Sequence, residues 1–196
     1  MEALILAGGD NRRLHIIKGL IEIHGKRIIE SNIEILKRMF KRVIISTNNP
    51  EIYFYTGALI IGDIIKYKGP MTGIFSALSN IAFSDIFVIA CDMPFINPKL
   101  IRYIIDNWDE KWDAVIPIFD KKPQPLFGIY SKKIAESMER SIKGGRRSLR
   151  GFLEEIKVLY ITEKEVRNID PEGKSFVNIN TLEDFKKEIG GQICLV

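Results

Sequence analysis

The chain has almost no cysteine. Cys91 and Cys194 stand far apart with no paired spacing, which argues against a disulfide framework and against a cysteine zinc site. Histidine is equally scarce: His15 and His24 are single residues without metal-ligand spacing, and neither is assigned a role. No apolar stretch approaches the roughly 20 residues of a membrane span, so no membrane partner is expected. The first apolar run is only a strand long and ends in glycines, unlike a secretory signal, which makes the cytoplasm the expected location. The net charge of +4 suits anionic small molecules. No nucleic-acid-binding motif accompanies it, so no nucleic-acid partner is expected. Internal repeats, low-complexity runs and linkers are missing too, and 196 residues are read as one domain spanning 1–196.

Hydrophobic residues make up 46% of the chain and charged residues 28%, enough for a full core under a solvated surface. The pattern alternates strand with helix. Ala3–Leu6, Val43–Ile45, Leu59–Ile61 and Ile86–Ala90 read as strands, and the last is continuously apolar, as in a parallel sheet covered on both faces. Ile29, Ile33, Leu36 and Phe40 recur at helical spacing, as do Ile74, Leu78 and Ile81. Pro50 and Pro98 each stand where a proline can open a helix. Ala114–Ile118 reads as a strand whose Pro117 is tolerable near an edge or a bulge. Leu126–Tyr130, Val158–Ile161 and Phe176–Ile179 read as further strands, with helices near 133–142 and 148–156. Thr181–Asp184 has the form of a capping box opening a last helix. The order implies an α/β sandwich of three layers with a mostly parallel sheet and one antiparallel strand in the less regular final third.

Two stretches carry chemistry. The first is Ala3–Lys18, where an apolar strand breaks into Gly8-Gly9 and three cations follow, Arg12, Arg13 and Lys18. Backbone without Cβ atoms, followed by fixed positive charge, suits a nucleoside triphosphate. A glycine pair after a strand also fits an ordinary tight turn. The P-loop pattern is absent, and so is the dinucleotide fingerprint with its ribose acid, because the strand at Val43–Ile45 runs into Ser46-Thr47-Asn48-Asn49. The second stretch is Cys91-Asp92-Met93-Pro94. Asp92 directly follows a buried strand and so projects at the carboxyl edge of the sheet, where open α/β sheets bind ligands. A carboxylate there suits magnesium; its structural alternative is a cap on the next helix. Cys91 itself reads as a small buried side chain.

Leu6-Ala-Gly-Gly-Asp-Asn-Arg-Arg13 through Lys18 resembles the signature Leu-Ala-Gly-Gly-x-Ser-x-Arg-Met-Gly-x-Asp-Lys of the molybdenum cofactor guanylyltransferases. Leu6, Ala7, Gly8, Gly9, Arg13 and Lys18 match, whereas Asn11, Leu14, His15 and Ile17 depart from it. Cys91–Pro94 resembles the family's Cys-Asp-x-Pro, whose acid holds magnesium. Gly69-Pro70-Met-Thr-Gly73 resembles its Gly-Pro-Leu-x-Gly, and Asn178-Ile-Asn180-Thr its Asn-x-Asn-Thr. Asp63 matches the acid that contacts the base or ribose. Ser46 stands where the family usually carries Asn, with Asn48 near enough to offer an amide.

The resemblance implies a Rossmann-like nucleotidyltransferase fold that uses Mg2+ to move GMP from GTP onto the phosphate of molybdopterin, releasing pyrophosphate. It also implies transient contact with cofactor-biosynthesis or acceptor enzymes. Arg13 and Lys18 would grip the triphosphate, Lys18 as an unpaired cation, with Asp92 as metal ligand. The Ala7, Gly8 and Gly9 amides would line the pocket. Asn178 and Asn180, on one face of a strand, would present two amides to acceptor or nucleotide. Another base, another phosphorylated acceptor, or a nucleotide-binding regulator without turnover stay open. Retention of both Lys18 and Asp92 speaks against the last. Arg146, Arg147 and Arg150 suit either an acceptor phosphate or a solvated helix start.

Overall fold

A computed structural model describes residues 1–8, 17–80, 82, 84–146, 148–179 and 184. In chain order the elements are β1 (Glu2–Leu6), β2 (Glu22–Ile23), β3 (Lys26–Arg27), α1 (Ile28–Lys37), β4 (Val43–Ser46), β5 (Leu59–Ile61), α2 (Pro70–Asn80) and β6 (Asp85–Ala90). They continue with α3 (Pro98–Asp106), β7 (Ala114–Phe119), β8 (Lys122–Pro123), β9 (Phe127–Ser131), α4 (Ala135–Lys143), α5 (Leu149–Leu153), β10 (Val158–Ile161) and α6 (Glu163–Ile169).

The main sheet has the order β10-β7-β9-β6-β1-β4-β5, with β8 attached to β7. Strands β6, β1, β4 and β5 run parallel, in a register that sets Ala90, Leu6, Ser46 and Ile61 side by side at one end. From β1 the chain steps outward to β4 and β5, then returns to lay β6 on the other side of β1. Successive connections therefore leave β1 in opposite directions, and the crevice between the carboxyl ends of β1 and β6 is a topological switch point.

The sheet's two faces are coated because strand side chains alternate. Ala3, Ile5, Phe87 and Ile89 pack into one cluster with Ile29, Ile33 and Leu36 of α1, Leu100, Ile101 and Ile104 of α3, and Val166 of α6. Leu4, Leu6, Ile86 and Val88 meet Ile74 and Leu78 of α2, Met138 and Ile142 of α4, and Leu149 and Phe152 of α5. Each such aliphatic or aromatic side chain contributes about 1.5–3 kcal/mol by leaving water. Three layers follow, as the alternation of elements implied. Among the described residues no helix is long and apolar enough to cross a membrane.

Strand β9 lies antiparallel between β6 and β7, among the described residues the one long strand that opposes its neighbours. Its Gly128 passes so close to β7 that a Cβ would meet the Val115 carbonyl oxygen at 2.4 Å. Pro117 sits where β7 has finished pairing with β9 and, from Ile118, pairs with β8 instead, so its missing N–H disrupts no ladder on that side. Helix α6 was not visible in the sequence reading, although Thr162-Glu-Lys-Glu165 is a capping box: the Thr162 hydroxyl accepts from the Glu165 amide, and Glu165 accepts from the Thr162 amide at 2.8 Å.

One expected strand is wrong. Lys174–Phe176 is a 3-10 turn, followed by irregular chain through Ile179. Asp170, 6% exposed, accepts from the amides of Lys174 and Ser175 at 3.0 and 2.9 Å, and Gly173 takes a φ of 64°. The acid closes a turn there, and the amides of Phe176, Val177 and Ile179 go to the carbonyls of Gly173, Lys174 and Asp92, which leaves them unavailable to a ladder. The capping box at Thr181–Asp184 lies largely outside the described residues.

Candidate functional site

Lys18 and Asp92 meet astride the crevice between β1 and β6. The Lys18 ammonium donates to Asp92 Oδ2 at 3.1 Å, with side chains 28% and 14% exposed. The two are 74 residues apart in sequence. Lys18 is thus not the unpaired cation expected; in the free protein its charge is balanced by the carboxylate. Gly19 makes the approach possible. It is buried, and a Cβ there would lie 3.2 Å from the Tyr53 hydroxyl and 3.6 Å from Cys91 Cβ, so the chain after Lys18 rests directly on the residue before Asp92. Sequence reading missed Gly19, whose signal was only a glycine next to a functional lysine.

The loop carrying Asp92 is held by its backbone. The Cys91 amide donates to the Leu6 carbonyl at 3.0 Å, and the Ile179 amide donates to the Asp92 carbonyl at 2.9 Å. The alternative role of Asp92 as a helix cap fails, because Asn97 caps α3 by accepting from the Lys99 amide. Burial pushes the Cys91 thiol up to about 12, with Asp92 beside it adding to the effect, so at neutral pH the thiol stays protonated and inert.

Of the loop residues, Leu6 is buried at the end of β1, Ala7 is half-buried and Gly8 is exposed. The Ala7 amide is not available to a phosphate, since it extends the sheet by donating to the Ser46 carbonyl at 2.9 Å. Gly9, Arg13 and Asn180 lie outside the described residues. Ser46 is buried at the end of β4 and faces α2. A Cβ on Gly73 would lie 2.7 Å from Ser46 Oγ and 2.8 Å from Leu6 Cδ2, so only glycine lets α2 start against the ends of β1 and β4. That contact brings Gly69 and Pro70 to the same edge, Gly69 with a φ of 132° that favours glycine.

Asp63, just past β5, is clasped by Asn48. The Asn48 side chain accepts from the Asp63 amide at 2.9 Å and donates to Asp63 Oδ2 at 2.7 Å. The Asn48 amide is therefore directed at Asp63. Asn178 stands in irregular chain rather than on a strand, and its side chain donates to the Phe176 carbonyl at 3.1 Å. Ile179 nonetheless ties this segment to Asp92.

The edge thus runs from Asp92 past the Gly8 loop and Asn48 to Asp63, across three strand spacings or about 14 Å. It offers charge at one end and hydrogen-bonding side chains at the other, over a length that suits an extended nucleotide. Among the described residues, no three His, Cys, Asp or Glu side chains gather to form a metal cage. A single carboxylate open on one side still fits magnesium, which takes one or two carboxylates and completes its shell with phosphates and water. Arg146 is paired with Glu155, which also accepts from Ser141, while Ser148 caps α5. Arg147 lies outside the described residues.

Comparison with known proteins follows the same lines. Residues 3–158 match the family model described as the MobA-like NTP transferase domain. The chain is 35% identical over 184 residues to a probable molybdenum cofactor guanylyltransferase of Pelotomaculum thermopropionicum, covering 94% of this chain and 89% of that one. It is 32% identical over 186 residues to the molybdenum cofactor guanylyltransferase of Syntrophotalea carbinolica, covering 94% and 89%. The crystal structure of molybdopterin-guanine dinucleotide biosynthesis protein A from Archaeoglobus fulgidus superposes with a TM-score of 0.84 at 31% identity, over 97% of both chains.

Proposed function

The chain belongs to the MobA-like NTP transferase family, and from that premise we propose that it transfers GMP from GTP to the terminal phosphate of molybdopterin, releasing pyrophosphate. The observation that carries this reading is the Lys18–Asp92 pair set across the switch point of the sheet. A cation and a carboxylate standing together at this edge support reading it as the triphosphate site. The attacking group is a phosphate monoester oxygen already ionised near neutral pH, so the site needs no general base. That accounts for the lack of a histidine at this edge among the described residues.

What the residues must supply is alignment and charge compensation. Gly8 and Gly9 leave the backbone bare for the phosphates, while Arg13 and Lys18 bind them, Lys18 exchanging Asp92 for phosphate oxygens. Asp92 would hold magnesium, which when bound supplies divalent charge beside the α-phosphate and the departing pyrophosphate. Asp63, oriented by Asn48, would bind ribose or base together with Ser46 and the Gly69-Pro70 start of α2, and Asn178 would face the acceptor. We read residues 1–196 as one nucleotidyltransferase domain. This is supported by Val166 and Phe176, beyond the matched segment, which bury in the same core as β1 and β6.

The test is pyrophosphate release with each of the four nucleoside triphosphates, with and without molybdopterin and magnesium. Release that needs molybdopterin and is fastest with GTP is expected. Faster release with CTP would move the protein to another branch of the nucleotidyltransferases, and release indifferent to molybdopterin would point to another acceptor.

A further inference from the structure

Helix α1 presents Ile28, Ile29, Ile33 and Leu36 to the interior, and in the middle of that stripe stands Asn32, 0% exposed. Its Nδ2 donates to the Met93 carbonyl at 3.1 Å, while its Oδ1, equally buried, has no hydrogen-bond partner among the described residues. Flipping the amide would set oxygen against the Met93 oxygen, so the orientation is dictated. An amide half-satisfied in a core is a liability that leucine, the residue the stripe calls for, would not carry. What it gives in return is a grip on the peptide that follows Asp92. Pro94 comes next and has no N–H, so the loop cannot brace itself there with a backbone donor. Among the described residues, three hydrogen bonds from separate parts of the chain hold its backbone: Leu6 at the Cys91 amide, Ile179 at the Asp92 carbonyl, and Asn32 at the Met93 carbonyl. Asn32 is the one that acts through a side chain.

We propose that Asn32 is a positioning residue that fixes the Asp92 carboxylate at the crevice by holding the Met93 carbonyl. The assignment rests on the reading of Asp92 as the metal-binding carboxylate. Its effect is transmitted through the backbone, since Asn32 itself is sealed from solvent and touches neither nucleotide nor acceptor. Supporting partners of metal-binding carboxylates cost about tenfold to a hundredfold in affinity or activity when removed.

The variant is Asn32→Leu, similar in size and free of the orphaned oxygen, with Asn32→Ala beside it in case leucine does not fit. Four readouts are taken: thermal melting, Mn2+ affinity with a non-hydrolysable GTP analogue, hydrogen exchange at the Ile179 amide without metal or nucleotide, and KM and kcat for GTP. The melt should stay within about 4 °C of the parent. Mn2+ affinity should fall about tenfold or more. Ile179 exchange should quicken, and the KM for GTP should change less than kcat. Unchanged Mn2+ affinity and exchange in a folded variant overturn the proposal, as does failure of both variants to fold, which would make Asn32 a folding residue. Asp92→Asn run in parallel separates the premises. If it loses Mn2+ affinity while Asn32→Leu does not, the positioning role alone fails; if it too keeps that affinity, the metal role of Asp92 falls.

Discussion

Replacing Asp92 with asparagine removes one charge and almost nothing else. Asparagine keeps the size, and the backbone carbonyl that accepts from Ile179 is untouched. The cap of α3 is Asn97, so that helix loses nothing. The only described side-chain partner affected is Lys18, at 3.1 Å. At an effective dielectric of about 20 the gross attraction of such a pair is on the order of 5 kcal/mol. Desolvation offsets most of it, and Lys18 at 28% exposed can turn to water when the partner charge goes. A net loss of about 1 kcal/mol is expected, lowering the melting temperature of a chain this size by about 2–4 °C. The rate should respond far more strongly. Losing electrostatic stabilisation at a reacting centre costs about a hundredfold or more, because charge building on the α-phosphate then goes uncompensated. Nucleotide affinity should suffer less than rate, since Lys18 and the loop remain. The assay is pyrophosphate release at saturating GTP, molybdopterin and magnesium, beside a melting curve. Release near the parent rate with an unchanged melt would refute the reasoning and leave the pair as an inert surface contact.

Lys18→Ala should weaken binding of a non-hydrolysable GTP analogue about tenfold, measured calorimetrically, and lower the melting temperature by about 2–4 °C because the same pair with Asp92 is lost; unchanged affinity would return Lys18 to a solvated role. Gly73→Ala should destabilise the protein by about 1–3 kcal/mol and loosen nucleotide binding, because α2 must shift off Ser46 and Leu6. Parent-like denaturation and binding would show that α2 has room. In a Cys194→Ser background, native Cys91 should resist a thiol reagent at pH 8 and react once the protein is unfolded. The thiol titrates near 12 when folded, against an ordinary value of 9.0. Its contribution to stability is therefore full below pH 9 and drains away as pH rises toward 12, a decline that Cys91→Ala should lessen in denaturation curves.

Much of this protein was decided locally and could be read from the chain alone. Runs such as Ile86–Ala90 and the helical stripe from Ile29 to Leu36 declare their elements because hydrophobic periodicity is a property of neighbours in sequence. A glycine loop after one strand and an acid after another are placed at the same edge once the strands are parallel, so Gly8 and Asp92 could be brought together without coordinates. What tertiary structure alone decided is which groups are already engaged. Lys18 answers to a carboxylate 74 residues away, Asn48 turns to Asp63, and the Ala7 amide is taken by Ser46. The apolar-looking segment from Phe176 to Ile179 is held out of the sheet by Asp170 and Gly173. Partner choice of this kind depends on strand order and on how closely two segments pass, as at Gly19 and Gly73. Those distances are fixed by the packing of the whole core, and no stretch of sequence encodes them by itself.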